Sequence, residues 1–122
     1  MYIHEYFKSE ILHFYKMITE LQLKEFKQEH NLCGLYFKTA NCGVCHVLLP
    51  RVEELFQRYN VPLMVIDLTE NMHLSGAEMV MSAPVLKIFA KERQVFKEGA
   101  YMDLKKVGQL LFQYSAAKPN PF

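Results

Sequence analysis

An α/β fold, with a central mixed β-sheet of four to five strands flanked by helices, is predicted by three observations. Two continuous apolar runs, Leu32 to Phe37 and Val61 to Leu68, are bounded by turn-forming residues, as strands buried on both faces are. Around them lie segments with apolar residues at three- and four-residue intervals, the period of an amphipathic helix. Two more short apolar segments, Pro84 to Phe89 and Gln94 to Lys97, flank the charged turn Ala90 to Arg93 and read as a hairpin. Strands and helices in that alternation pack as a sheet with helices on both faces.

Taken in order, Ile3, Tyr6, Phe7 and Ile11 keep helical spacing with Glu5, Lys8 and Ser9 between them, which predicts an extra N-terminal helix over residues 2 to 13. Phe14 to Ile18 alternates as a short strand. Thr19 and Gln22 form a capping-box pattern that opens a helix through Leu23, Phe26 and Lys27 and ends near His30. The first apolar run follows. From Gly43 to Tyr59 helical spacing persists through Val44, Val47, Leu48, Val52, Leu55 and Phe56, with Pro50 kinking the helix and not ending it. The second apolar run, a weakly patterned helical piece around Leu74 to Met79, the hairpin and a last helix behind Asp103 complete the chain. Residues 1–13 are thus an N-terminal extension, 14–118 the domain and 119–122 a tail.

Composition sets the outer bounds. With 122 residues, 51% hydrophobic and 22% charged, the chain fits one domain with a single core. Its 14 basic and 13 acidic residues are interspersed, so there is no basic stripe for nucleic acid. No apolar run reaches the length needed to span a bilayer, and residues 1 to 18 lack the uninterrupted apolar core of a signal peptide. A monomer in the cytoplasm is expected, where three cysteines are too few for a disulfide scaffold. The seven methionines read as core filler.

The chemistry is concentrated in Asn41-Cys42-Gly43-Val44-Cys45-His46, where a buried strand runs into a helix. A sulfur in the first helical turn lies against unsatisfied N–H groups, which favour thiolate over thiol. The thiolate is the nucleophile. Two intervening residues bring Cys45 one turn round toward Cys42, so one sulfur can attack a partner's disulfide and the other resolve the intermediate. Three other readings compete. A zinc site needs four ligands, yet Cys33 is the only further cysteine and the five histidines never recur at ligand spacing. Cys42 to His46 also spells a c-type haem attachment pattern, which is expected in exported proteins. The third reading is a pair of inert, buried thiols.

From about Phe14 to Gln113 the chain resembles the thioredoxin family. The resemblance rests on the Cys42-Gly43-Val44-Cys45 motif between a strand and a helix, on Pro50 five residues beyond it, and on Ser82-Ala83-Pro84 before the hairpin. It implies a thioredoxin-like fold and thiol-disulfide exchange with protein substrates, in which Cys42 attacks, Cys45 resolves, and Pro84 is a cis residue opposite them. It also implies substrate contacts at Asn41, Gly43, Val44, Ala83 and Pro84, a reductase as electron donor, and no cofactor beyond a redox-active Cys42–Cys45 disulfide.

The departures from the family pattern concern the same site. Asn41, Val44 and Tyr36 stand where the family commonly has a tryptophan, a proline and a buried aspartate, and Val65 stands where a lysine often accompanies that aspartate. Tyr36, with an ordinary pKa near 10, cannot take a proton from Cys45 as a carboxylate does. The proline between the cysteines is linked to strongly reducing members, so Val44 weakens that implication. His46 lies four residues after Cys42, and its imidazolium is expected to lean over that sulfur and favour the thiolate. Cys33 is expected to pack as a small apolar side chain. The alternative function is a redox-weak binding or adaptor module that uses the N-terminal helix for docking.

Overall fold

Thr19 begins the first helix as its residue type requires: its hydroxyl accepts the Gln22 N–H at 3.1 Å, and Gln22 returns a bond to the Thr19 N–H at 2.8 Å. This computed structural model describes residues 11–14 and 17–115, with backbone alone for the first four. The elements are β1 (Ile11–Phe14), α1 (Glu20–Glu29), β2 (Leu32–Lys38), α2 (Gly43–Arg58), β3 (Leu63–Asp67), α3 (His73–Glu78), β4 (Val85–Ala90), β5 (Arg93–Glu98) and α4 (Leu104–Tyr114). Asp103 caps α4 by accepting the N–H groups of Lys105 and Lys106. Helix α2 continues through Pro50 to Arg58.

The strands form a five-stranded sheet in the order β1-β3-β2-β4-β5, with β1, β3 and β2 parallel and β4 and β5 antiparallel additions. The hairpin turn is Lys91-Glu92, both left-handed at φ 51° and 67°, which suits the twist of the flanking strands. The Lys91 N–H is tied to the Asn31 carbonyl at 2.7 Å.

The expected N-terminal helix is corrected at residues 11–13, where the chain is strand: Ile11 pairs with Leu63 and Phe14 with Ile66. The reason is tertiary, since β3 offers an edge of N–H and C=O groups whose pairing outweighs local helical periodicity. Residues 2–10 of that expected helix, and the tail at 119–122, lie outside the described residues. The strand expected over Phe14 to Ile18 is displaced to Ile11–Phe14.

Alternation along β2 divides the core in two. Leu32 and Tyr36 face α2 and α4, packed with Val52, Phe56, Val65, Val107 and Leu111. Cys33, Leu35 and Phe37 face α1 and α3, packed with Leu23, Phe26, Met64 and Leu74. Gly34 is on the α2 side, where a Cβ would stand 2.5 Å from Phe56 Cζ and 3.0 Å from Leu63 Cδ1. The absence of a side chain is what lets Phe56 seat α2 against the sheet at 0% exposure. Overpacking of this kind costs about 1–3 kcal/mol, so Gly34→Ala should lower the unfolding free energy by that amount at constant m-value in urea. An unshifted midpoint would show that the Phe56 ring yields freely.

Candidate active site

Three chain segments meet at one end of the sheet. Strand β2 ends at Lys38, which pairs with Asp67 at the end of β3, and β4 begins with Val85 opposite Phe37. The short connection from β2 to α2 is held to the sheet by the Leu68 N–H on the Lys38 carbonyl (2.8 Å) and the Ala40 N–H on Thr69 Oγ1 (3.0 Å). Those bonds deliver Cys42 to the N-cap of α2 in extended conformation, φ −106° and ψ 102°.

At that cap the Cys45 N–H donates to Cys42 Sγ at 3.0 Å, so sulfur takes the place usually held by a serine or aspartate oxygen. The two sulfurs are joined as a disulfide, with Cα atoms 5.2 Å apart. Their surroundings differ: Cys42 is half-buried and Cys45 fully buried. Asn41, Gly43 and Val44 are exposed around the half-buried Cys42, and apart from its chain neighbours and the backbone of α2 nothing lies within 4 Å of where a Gly43 Cβ would stand.

Tyr36 comes up beneath the turn from the α2 face of β2. It is completely buried, and its hydroxyl donates to the Cys45 carbonyl at 2.9 Å. Burial first, and the Glu53 carboxylate second, push its pKa up to about 12. The phenol is therefore a permanent donor at neutral pH, in line with the expectation that it does not serve as a base. Val65 lies in the same apolar cluster.

The Ala83–Pro84 peptide bond is cis, as the resemblance implied. Pro84 is buried and Ala83 half-buried. Gly99, after β5, approaches the same segment: its Cβ would stand 3.5 Å from the Pro84 carbonyl oxygen. His46 is exposed; its backbone N–H bonds the Cys42 carbonyl at 3.3 Å, and its ring forms no hydrogen bond to Cys42. Cys33 is buried on the opposite face, where desolvation, partly offset by Lys27, pushes its pKa up to about 12 and leaves it a poor nucleophile.

Several apolar residues on this half of the chain were not anticipated as surface. Val47, Met81 and Tyr101 are exposed at 65%, 87% and 101%, Met81 two residues before Ala83 and Tyr101 two after Gly99. The reading of the methionines as core filler holds for Met64 and Met102 and is corrected for Met17, Met72, Met79 and Met81, all exposed. Only Met72 and Met81 adjoin turn-formers, Asn71 and Ser82, while Met17 and Met79 have none beside them. Among the described residues no group of three His, Cys, Asp or Glu side chains gathers as for a metal ion.

Replacing Tyr36 by Phe removes one buried bond and should cost about 0.5–1.5 kcal/mol in urea unfolding at neutral pH. The folded phenol holds its proton more tightly than the unfolded one, so its contribution is complete below pH 10 and is lost as pH rises toward about 12. Tyr36→Phe should lack that alkaline loss; an identical alkaline limb in both proteins would contradict the assignment.

Comparison with known proteins places this arrangement. The thioredoxin family profile matches residues 16–111. Among curated proteins, thioredoxin-like protein YdfQ of Bacillus subtilis is 23% identical over 92 residues, 75% of this chain and 82% of that protein. Protein disulfide-isomerase EUG1 of Saccharomyces cerevisiae is 29% identical over 92 residues, 73% of this chain but only 18% of that much longer protein. Among solved structures, a mutant thioredoxin from Halobacterium salinarum superimposes with a TM-score of 0.77 at 25% identity, over 95% of this chain and all of that one.

Proposed function

The chain belongs to the thioredoxin family, and we propose from that premise that it is a thiol-disulfide oxidoreductase exchanging disulfides with protein substrates through Cys42 and Cys45. The observation that carries this reading is the unequal pair of sulfurs at the start of α2, one capped by a backbone N–H and open to solvent, the other buried beside it.

In the reducing direction the Cys42 thiolate attacks one sulfur of a substrate disulfide. A Cys42–substrate bond forms, the substrate S–S bond breaks, and the second substrate sulfur leaves as thiolate. Cys45, as thiolate, then attacks Cys42 Sγ, closing the intramolecular disulfide and releasing the first substrate sulfur. Two electrons and two protons have passed to the substrate, and a reductase must return them before another cycle. The N–H of Cys45 acts in the first step, because a bond to sulfur strengthens when that sulfur carries charge.

The Cys45 proton goes to the departing substrate thiolate or to water, since Tyr36 keeps its own proton. Asn41, Gly43 and Val44 border the attacking sulfur on the solvent side, and Ala83 and Pro84 offer backbone to an extended substrate segment at the same end of the sheet. The dithiol itself carries the electrons, so the cycle as written uses no further cofactor. We place this activity in a monomer in the cytoplasm, in keeping with a chain whose third cysteine is buried and unreactive.

Insulin reduction by dithiothreitol tests the proposal: wild type should accelerate it and Cys42→Ser should fall to the uncatalysed rate. Equal rates would favour the adaptor alternative. His46 is exposed and its ring makes no hydrogen bond to Cys42, and the pH profile of Cys42 alkylation should superimpose in wild type and His46→Ala. A profile displaced to higher pH in the variant would return His46 to the mechanism.

A further inference from the structure

On the face of the sheet turned toward α1 and α3, three lysines from three elements converge on the end of one short helix. Lys87 of β4 stands opposite Lys97 of β5, a like-charged cross-strand pair that destabilises a hairpin when both charges stand free. Neither does. Lys87, 5% exposed, donates to Glu78 Oε1 at 3.1 Å and to the Glu78 backbone carbonyl, while Lys97 donates to the Met79 carbonyl at 2.8 Å. Lys27 of α1 holds the other carboxylate oxygen, Glu78 Oε2, at 3.2 Å and lies 4.5 Å from the centre of the Phe89 ring.

Core packing alone gives no reason for a lysine here, since an apolar residue of similar volume in place of a buried ion pair is often neutral or stabilising. Desolvation lowers the Lys87 pKa, with Glu78 acting in opposition. What the bonds do fix is the path of the chain between α3 and β4. They grip two consecutive carbonyls where Met79 turns left-handed at φ 56°. Val80 is locked to Ser75 by its N–H at 2.9 Å and its carbonyl at 2.6 Å. Four residues beyond Val80 comes Pro84, at the sheet end that carries the dithiol.

We propose that Lys87, with Lys97, is a positioning residue for segment 79–84, so that docking of a protein substrate against Ala83 is set by bonds on the face of the sheet away from the two sulfurs. This rests on the oxidoreductase reading and adds to it a determinant of substrate affinity distinct from the chemistry. Lys87→Met keeps the length and the apolar stem and removes the donors.

The experiment measures KM and kcat for insulin reduction, together with the dithiol equilibrium against a glutathione buffer, in wild type, Lys87→Met and Lys97→Met. Loss of charge-assisted bonds should raise KM about tenfold in Lys87→Met and less in the exposed Lys97→Met, with kcat and the glutathione equilibrium at wild-type values. Unchanged KM in both variants, or a fall in kcat with a shifted equilibrium, overturns the proposal. If Lys87→Met does not fold, Lys97→Met decides alone, and unchanged KM in it overturns the proposal. A wild-type protein that leaves insulin disulfides intact would instead defeat the oxidoreductase reading on which the proposal rests.

Discussion

The amide of Cys45 points at the sulfur of Cys42 across 3.0 Å, so the atom we propose as the nucleophile is also the cap that starts α2. Helix initiation leaves N–H groups without partners, and a side chain that accepts one is worth about 1 kcal/mol to the helix. Here that acceptor is a reactive group, and placing it correctly becomes a task for the whole sheet. Thr69 and Lys38 hold the connection before it, Phe56 against Gly34 seats the helix behind it, and Tyr36 ties the Cys45 carbonyl from below. The site is a consequence of how β2 hands the chain to α2.

From that placement follows the division of labour between the sulfurs. A half-buried, capped sulfur suits attack, and a fully buried neighbour bonded to it suits resolution, because burial keeps it from solvent. Tyr36 alters the second half of the cycle. A carboxylate in its place would accept a proton, whereas a phenol raised to about 12 can only donate, and it donates to a carbonyl and thus fixes geometry. At this buried position beneath the motif the side chain keeps its proton and holds the turn. The lysine cluster around Glu78 does comparable work for the segment that leads to Pro84 at the same end of the sheet.

Much of this was legible in the residues. Thr19 with Gln22, Asp103 before a helix and the two continuous apolar runs each carry their reason locally, and α1, α4, β2 and β3 formed where those signals lie. The dithiol, Pro50 and Ser82-Ala83-Pro84 were legible as one constellation through the resemblance to the thioredoxin family. What was not legible is what depends on a neighbour distant in sequence. Residues 11–13 carry helical periodicity yet pair with β3, since only the folded sheet reveals that edge. Tyr36 announced a missing carboxylate but not its bond to Cys45, and Lys87 lies unremarked between apolar residues of β4 until Glu78 is brought to it. Exposed methionines misled for the opposite reason, an apolar residue type carrying no statement of which side of the surface it occupies.

The central claim is that position at the helix start, and nothing intrinsic to the thiols, makes Cys42 the nucleophile. It is tested most directly by treating the reduced protein at neutral pH with a limiting amount of iodoacetamide and mapping the adduct by mass spectrometry. The account predicts the label on Cys42, with Cys33 and Cys45 spared until urea unfolds the chain. Label on Cys45, or spread evenly over the three cysteines, would contradict it.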